Sequence, residues 1–371
     1  MNIGLSTVTD DMVNWFQLEF PHLTDKMRKA THHYDTQTLN AYHVEGDVWT
    51  HTMMVALMAK HFAGGHDHVR WSALLHDTGK PDALGQNHEN KRVSFHGHEG
   101  LSAFLALDVL NKTNMTTQDK ILIHKIIANH GDLFRFIKSD GTIKQDILNV
   151  YAGEKQLLEN LVHQVMVDSL GRFWQNGKCE NISVDFSKLF QSTIDALSYA
   201  IHPMKHTGKP KLTVLVGPPC AGKSTHVKNN ITNTKIISRD DLVDVAGARR
   251  GLNYTDTFKF LNENADICRK EVDEVFESMV RDTKHTTSDV LIDMTCMSKK
   301  SRRRWINEFH DHDARAVVFL TGFETLKTRN KIRAHTGGKF IPERVLTDMC
   351  LRYSLPMYSE GFNEIEFVVS E

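Results

Sequence analysis

The sequence predicts a multi-domain chain: an all-α helical bundle followed by an α/β domain built on a parallel sheet. Three observations carry this. Up to about residue 205, apolar residues recur at the 3.6-residue spacing of helices almost throughout; beyond it, short β-rich runs alternate with helical segments, as in strands joined by helical crossovers. Between the two textures lies "HPMKHTGKPK" (202–211), whose prolines and glycine read as a linker, so the domains are drawn at 1–203 and 204–371. A chain of 371 residues is also long enough to bury a separate core in each half.

Composition sets bounds on function. With 45 basic and 46 acidic residues there is no global field to attract nucleic acid, and any such surface is local. The five cysteines (Cys179, Cys220, Cys268, Cys296, Cys350) are widely spaced, as expected of reduced thiols in a cytoplasmic protein. The opening "MNIGLSTVTDDMVNWF" carries acidic residues where a signal peptide has basic ones. No apolar run approaches the roughly 20 residues of a membrane span, so no membrane partner is expected.

The first half holds most of the polar puzzle, with several of the 22 histidines bunched before residue 131. His51, in "GDVWTHTMMVALMAKHF", shares a helical face with Met54, Val55, Met58 and Phe62. His76 and Asp77 close the apolar segment "WSALLHDTGK" (71–80), which Gly79 and Lys80 are expected to stop. His98 lies on the face of Leu101 and Leu105, His130 on that of Ile123, Ile126 and Ile127, and Asp168 continues the stripe of Leu161 and Val165. Each occupies a slot that the helical period assigns to the core. A single inward histidine is ordinarily a satisfied core residue, but a buried carboxylate needs a cation or several donors. Five such positions on five helices point to a metal, and mixed nitrogen and oxygen ligands suit Mn²⁺, Fe²⁺, Co²⁺, Ni²⁺ or Zn²⁺. His32, His33, His61, His66, His68, His96 and His163 fit no slot and read as surface or incidental.

In that order, His51, His76-Asp77, His98, His130 and Asp168 resemble the HD-domain phosphohydrolases in their six-ligand form. The flanks "HVEGDVWTH" (43–51), "HDTGK" (76–80), "GHEG" (97–100) and "DSLGR" (168–172) are similar to the HD domain of bacterial CCA-adding tRNA nucleotidyltransferases, over roughly residues 40–175. The resemblance implies a metal held by His51, His76, Asp77 and Asp168, a second held by His98 and His130 with Asp77 bridging, and Lys80 on a substrate phosphate. The implied chemistry is phosphoester hydrolysis, with water activated and phosphoryl charge taken up by the metal.

The second half carries "GPPCAGKST" (217–225), which fits G-x-x-x-x-G-K-[ST], follows the strand "KLTVLV" (211–216) and opens a helix. Gly217 and Gly222 permit the turn that cradles phosphates, completed by Pro218, Pro219, Cys220 and Ala221; Cys220 is read as an ordinary small loop residue where any residue is allowed. Lys223 reaches the β- and γ-phosphates, and Ser224, followed by Thr225, ligates Mg²⁺. ATP and Mg²⁺ are the expected cofactors. Further strands read at "KIIS" (235–238), "VLID" (290–293), "AVVFL" (316–320) and "IEFVV" (365–369). Because ligands bind at the carboxyl ends of such strands, an aspartate just past the second faces the γ-phosphate as a base for an acceptor hydroxyl. Asp240 and Asp241 are adjacent there, one free to act and the other to cap the next helix. "LKTRNKIR" (326–333) sets Arg329 and Arg333 four residues apart, either as a lid that clamps the triphosphate or as a solvated basic face.

The segments "SRDD" (238–241), "IDMT" (292–295), "RRRW" (302–305), "TRNKIR" (328–333) and "IPERVL" (341–346) follow the order seen in 5′-hydroxyl polynucleotide kinases of the P-loop class, over about residues 211–362. This resemblance implies Asp240 as general base, Arg329 and Arg333 as lid arginines with Arg333 on ATP, and Asp293 near the acceptor. Those kinases usually carry an arginine three residues after the aspartate, on the acceptor phosphate; here that position is Val243, with Arg239, Arg249 or Arg250 as substitutes. Joined, the halves resemble the bifunctional HD–polynucleotide-kinase family of RNA end-healing enzymes. Such an enzyme opens or removes a 2′,3′-cyclic or terminal phosphate and phosphorylates a 5′-hydroxyl. The implied partners are broken RNA such as tRNA and a downstream RNA ligase. The basic run Lys299, Lys300, Arg302, Arg303 and Arg304 either holds strand phosphates or is a solvated helix face. Two other functions fit the same residues: an HD nucleotidase fused to a small-molecule kinase, and an ATP-binding regulatory sensor.

Overall fold

The computed structural model describes residues 3–138, 140–173, 186–198, 206–230, 233–336 and 338–370. The chain divides into two compact units, Met1–His202 with Cys350–Leu355, and Pro203–Met349 with Pro356–Ser370. The boundary drawn between 203 and 204, and the first four residues of the linker, lie outside the described residues.

The first unit is helical. Helices α1 (Thr9–Glu19) and α2 (Pro21–Lys29) bury Met12, Phe16, Leu23 and Met27. Helix α3 (Val48–Phe62) begins at Asp47, whose carboxylate accepts from the Thr50 N–H. Next come α4 (Asp67–Leu75), the short α5 (Lys80–Ala83) and an antiparallel hairpin of β1 (Gly85–Asn87) and β2 (Arg92–Ser94). Helix α6 (His98–Leu110) precedes α7 (Thr117–Asn129), which is opened by a reciprocal cap between Thr116 and Asp119. A 3₁₀ turn (Asp132–Phe136), α8 (Ile147–Val150), α9 (Lys155–Leu170) and α10 (Phe186–Ser198) complete the unit. Helix α4 packs against α3, α7 and α9, and its Val69, Trp71, Leu74 and Leu75 are fully buried. Each such Val or Leu contributes about 1.5–3 kcal/mol of transfer free energy.

Two local expectations change. Helix α4 stops at Leu75 with His76 as its C-cap, and Gly79 instead caps α5. A Cβ on Gly79 would lie 2.7 Å from the Ser102 nitrogen and 2.8 Å from the His98 oxygen, so only glycine lets α6 approach the "HDTGK" turn. Phe62 shares the angle of His51 on α3 but is 54% exposed, while Ala63 is buried in its place. The period fixes an angle around a helix; it does not say where along the axis the neighbouring helices end.

The second unit is the predicted α/β fold. Strands β3 (Lys211–Val216), β4 (Lys235–Ile237), β5 (Val290–Ile292), β6 (Asp313–Thr321) and β7 (Glu364–Ser370) form one sheet in the order β4-β5-β3-β6-β7, parallel throughout. The connecting helices are α11 (Lys223–Asn230), α12 (Arg239–Ala248), α13 (Tyr254–Glu263), α14 (Ala265–Cys268), α15 (Glu274–Thr283), α16 (Lys299–Glu308), α17 (Phe323–His335) and α18 (Glu343–Leu351), with one π turn (Arg269–Asp273) between α14 and α15. Leu212, Val214, Leu215 and Val216 are fully buried and Thr213 between them is buried too, as a strand covered on both faces requires. Strand order reverses at β3, so the loops leaving β3, β4 and β5 open on one crevice.

The basic run on α16 splits. Lys299, Lys300, Arg303 and Arg304 are exposed, but Arg302 is fully buried, so it neither holds strand phosphates nor faces solvent. Its guanidinium pairs with the buried Glu360 carboxylate at 2.7 and 2.8 Å and donates to the carbonyls of Cys296 and Met297. Arg302→Ala leaves Glu360 an uncompensated buried charge and is expected to cost about 3–5 kcal/mol, read as a fall in the urea midpoint at unchanged m-value.

Candidate metal centre and nucleotide crevice

The first site is assembled from helix ends. His51 lies in the first turn of α3, His76 and Asp77 follow α4, His98 opens α6, His130 is the C-cap of α7, and Asp168 sits in the last turn of α9. All six come together around the fully buried Asp77. Its Oδ2 lies 3.2 Å from His76 Nε2, 3.6 Å from His51 Nε2 and 2.7 Å from Lys80 Nζ. Its Oδ1 lies 3.3 Å from His98 Nε2 and 3.9 Å from His130 Nε2. His51 Nε2 is 3.1 Å from Asp168 Oδ1, and Arg172 Nη2 secures the other Asp168 oxygen at 2.5 Å.

The tautomers follow from the outer hydrogen bonds. Nδ1 of His76, His98 and His130 lies 2.9, 2.7 and 2.7 Å from the carbonyl oxygens of Ala73, Phe95 and Ile127. A carbonyl only accepts, so each Nδ1 carries the proton, and in the neutral ring Nε2 presents a lone pair. Burial pushes the His130 imidazole down to about 4, which keeps it neutral at pH 7. Burial opposes ionisation of Asp77 too, yet the Lys80 ammonium 2.7 Å away holds its carboxyl well below the usual range. Lone pairs facing a carboxylate and one another, with His98 and His130 Nε2 only 3.2 Å apart, repel unless a cation lies between them. His51 Nε2, His76 Nε2 and both Asp77 oxygens are buried without a directed hydrogen bond. The donor atoms form the groups His51–His76–Asp77 and Asp77–His98–His130, each within 4.8 Å, so the residues fit one or two divalent ions sharing Asp77.

Sequence reasoning missed part of this centre. His32, read as incidental, is buried: its Nδ1 donates to the Gly46 carbonyl (3.1 Å) and its Nε2 accepts from Lys80 (3.1 Å). Its ring stacks on His43 at 4.1 Å and 7°. Glu45 lies 3.0 Å from His51 Nδ1 and 2.9 Å from His43 Nδ1, and it also accepts from the Phe173 N–H. A carboxylate behind a ligating imidazole fixes its ring and tautomer. Residues 31–47 form no regular element that periodicity could flag; the Thr31–Asp47 bridge and the His32 N–H to Gly46 bond bring them in. His61 and His96 are exposed, in keeping with the reading from sequence.

In the second unit, β3 runs into the loop 217–222 and α11 starts at Lys223. A Cβ on Gly217 would lie 2.9 Å from Phe319 Cβ on β6. Gly222 (φ +98°) and Cys220 (φ +67°) are both left-handed, so position 220 is a strained one and not open to any residue. Lys223 Nζ donates to the carbonyls of Gly217 and Pro218 at 2.8 Å each. Ser224 and Thr225 are exposed in the first turn of α11. A cleft of about 1820 Å³ brings together this loop, Arg239, Asp240, Asp293, Arg329 and Arg333, more space than the ~300–1,000 Å³ of a single-ligand pocket.

Burial lowers the Lys223 ammonium to about 8. Its cation is present below that pH and lost above it. Affinity for ATP is therefore expected to be flat below about pH 7 and to weaken by up to roughly tenfold per unit well above pH 8, measured by titrating a fluorescent ATP analogue. With the unfolded value near 10.4, the unfolded chain binds more protons between these pH values, and stability without nucleotide rises across that window.

Asp240 and Asp241 do not share the roles expected of them. Ser238 caps α12, its hydroxyl accepting from the Asp241 N–H. The Asp240 carboxylate accepts from the Tyr254 hydroxyl (2.7 Å) and Lys339 Nζ (2.8 Å). Partial burial opposes its ionisation, but Lys339 and Tyr254 hold it below the ordinary range. Asp293 follows β5, its N–H on the Ile237 carbonyl, and burial raises its carboxyl. Val243 is fully buried with Ala246, Leu261 and Val272, so the position three residues past Asp240 faces the core. Arg239 donates to Asp273 and the Cys268 thiol, and Arg250 to Glu271.

Comparison with known proteins follows the same division. Residues 48–162 match the HD domain family and residues 212–356 match the AAA domain family. An A-adding tRNA nucleotidyltransferase of Deinococcus radiodurans is 26% identical over 96 residues, covering 24% of this chain and 22% of that protein. No helix among the described residues is long and apolar enough to cross a membrane. The HD match implies a divalent metal at the His/Asp cluster, and the P-loop implies nucleotide binding. The chain thus carries, in order, a helical region similar to the HD domain family, with a His/Asp cluster, and an α/β region with a P-loop similar to the AAA domain family.

Proposed function

We propose that the chain is a cytoplasmic end-healing enzyme for broken RNA such as tRNA. Its first unit hydrolyses a 2′,3′-cyclic or terminal phosphate, and its second transfers the γ-phosphoryl of ATP to a 5′-hydroxyl. The supporting observation is one chain that holds both buried imidazole lone pairs around an ionised Asp77 and a phosphate loop whose crevice contains Asp240. A divalent Mn, Ni, Co, Fe or Zn ion held by His51, His76, Asp77 and Asp168, with a second on His98, His130 and Asp77, would supply a nucleophile at neutral pH and Lewis acidity toward phosphoryl oxygens. Lys80, beside Asp77, brings an ammonium to the substrate phosphate, and Arg172 keeps Asp168 ionised. In the crevice, residues 217–225 cradle ATP, Ser224 serves its Mg²⁺, and Lys223 and Arg333 hold the phosphates. Arg329 neutralises charge that develops in transfer. Asp240 takes the acceptor proton, with Asp293 at the acceptor end. Arg239, engaged by Asp273, serves the acceptor only by exchanging that partner. A downstream RNA ligase would seal the healed ends.

The test is an RNA with a 2′,3′-cyclic phosphate and a 5′-hydroxyl, incubated with γ-labelled ATP, Mg²⁺ and a panel of transition metals. Label is expected at the 5′ end with Mg²⁺ alone, and loss of the cyclic phosphate only when a transition metal is added. No change at either end overturns the reading. The burial of Val243 favours one rival, a nucleotidase fused to a small-molecule kinase. Competition between a 5′-hydroxyl oligonucleotide and nucleosides for the γ-phosphate separates the two. Multiple-turnover transfer excludes a purely ATP-binding sensor.

A further inference from the structure

Both oxygens of Asp240 are engaged, Oδ1 by the Tyr254 hydroxyl and Oδ2 by Lys339 Nζ. Lys339 also donates to the Tyr254 oxygen (2.7 Å), with its ammonium 4.1 Å from the centre of the Tyr254 ring. An arriving hydroxyl must hydrogen-bond to this same carboxylate to lose its proton there. A neutral acceptor competes with Lys339 for Oδ2 and gives the ammonium nothing in exchange. An acceptor with an anion beside its hydroxyl offers Lys339 a new partner and frees Oδ2, and a phosphate matches a lysine's compact charge.

A second feature of the cleft stands beside this one. Tyr254 and Phe258, one helical turn apart on α13, hold their rings nearly parallel, 11° apart with centroids 6.2 Å apart. Phe258 is 45% exposed and lines the cleft together with Tyr254 and Lys339. Parallel aromatic faces next to a cation are the elements that hold a base and its phosphate. The cleft has room for an acceptor beside ATP.

We propose that Lys339 and the Tyr254–Phe258 wall form the acceptor subsite, the ammonium taking the phosphate 3′ to the acceptor nucleoside and the rings stacking on its base. The inference rests on the kinase reading and assigns residues of this chain to the acceptor, where the family's arginine position is the buried Val243. As the acceptor oxygen bonds to the γ-phosphorus, the bond to the β–γ bridging oxygen breaks and ADP leaves. The hydroxyl proton passes to Asp240, whose Oδ2 Lys339 has released.

The experiment uses the full chain, saturating Mg²⁺-ATP, and adenosine 3′-monophosphate and adenosine as acceptors that differ only in the phosphate. The wild type is expected to favour the phosphorylated acceptor in kcat/KM by on the order of 10–100-fold, as one charged hydrogen bond gives. Lys339→Ala collapses this ratio to within about threefold, with the KM for ATP unchanged. Lys339→Gln removes the charge but keeps a donor for Asp240 and Tyr254, and gives the same collapse. Phe258→Ala weakens both acceptors alike, by roughly 5- to 50-fold, and leaves the ratio intact. A wild-type ratio near one, or a Lys339→Gln protein that loses both acceptors equally, overturns the subsite while leaving the kinase reading in place. Absence of transfer to adenosine, its 3′-phosphate and an RNA oligonucleotide overturns the kinase reading, and the subsite with it.

Discussion

Asp77→Ala is expected to abolish phosphoester hydrolysis, by at least about 10³-fold, a larger loss than removing an outer-shell partner gives. Phosphoryl transfer should stay within about twofold of wild type. The asymmetry follows from placement. Asp77 is the carboxylate that four imidazoles and Lys80 share, whereas no residue of the nucleotide crevice belongs to that cluster. The substitution also leaves the buried Lys80 ammonium without its carboxylate, facing only the His32 nitrogen and the Phe95 ring among the described residues, so some loss of stability accompanies it, to be followed by circular dichroism. Metal content after dialysis should fall in parallel with hydrolysis. A folded Asp77→Ala protein that has lost both activities would mean that the two sites act as one.

Asp240→Asn is the second large effect. The substitution keeps the size of the side chain and its bond to the Tyr254 hydroxyl but removes the charge proposed to receive the acceptor proton. Transfer is expected to slow by on the order of 10²–10⁴, with the Kd for ATP changed by less than about threefold, since Lys223 and the loop are the residues proposed to hold the phosphates. Because Lys339 and Tyr254 hold Asp240 below its ordinary range, it is ionised throughout the neutral region. The acid limb of the transfer profile should therefore fall below the usual carboxylate value near 3.9. Asp241→Asn should matter little: Ser238 is the cap, and a first-turn carboxylate contributes about 0.3–1 kcal/mol. A chain in which Asp241 is essential and Asp240 dispensable would place the working carboxylate one residue further on.

The contrast between Asp240 and Lys339 shows what a sequence exposes and what it hides. Asp240 was legible because it follows a strand, and strand ends define the crevice of a parallel sheet. His51, His130 and Asp168 were legible because polar residues stood out on apolar helical faces. Lys339 lies in the loop after α17 with no period to interrupt, and it meets Asp240 across 99 positions of chain. His32, His43 and Glu45 escaped for the same reason, since an irregular segment gives no face on which a histidine looks misplaced. Arg302 misled in the opposite sense. Four flanking cations made it look solvated, and only the fold brings Glu360, 58 residues later, onto its guanidinium. Cys220 passed for an ordinary loop residue because a left-handed φ leaves no mark on the amino acid that adopts it.

The independence of the two chemistries is tested most directly by complementation in trans. Asp77→Ala and Asp240→Asn proteins are mixed in equal amounts with one RNA carrying a 2′,3′-cyclic phosphate and a 5′-hydroxyl, in the presence of ATP, Mg²⁺ and a transition metal. Each protein alone should process one end. The mixture should heal both ends, at rates close to those of wild-type protein at the same concentration of each functional site. A mixture that leaves either end unprocessed, while wild type heals both, would contradict the account of two self-sufficient sites in one chain.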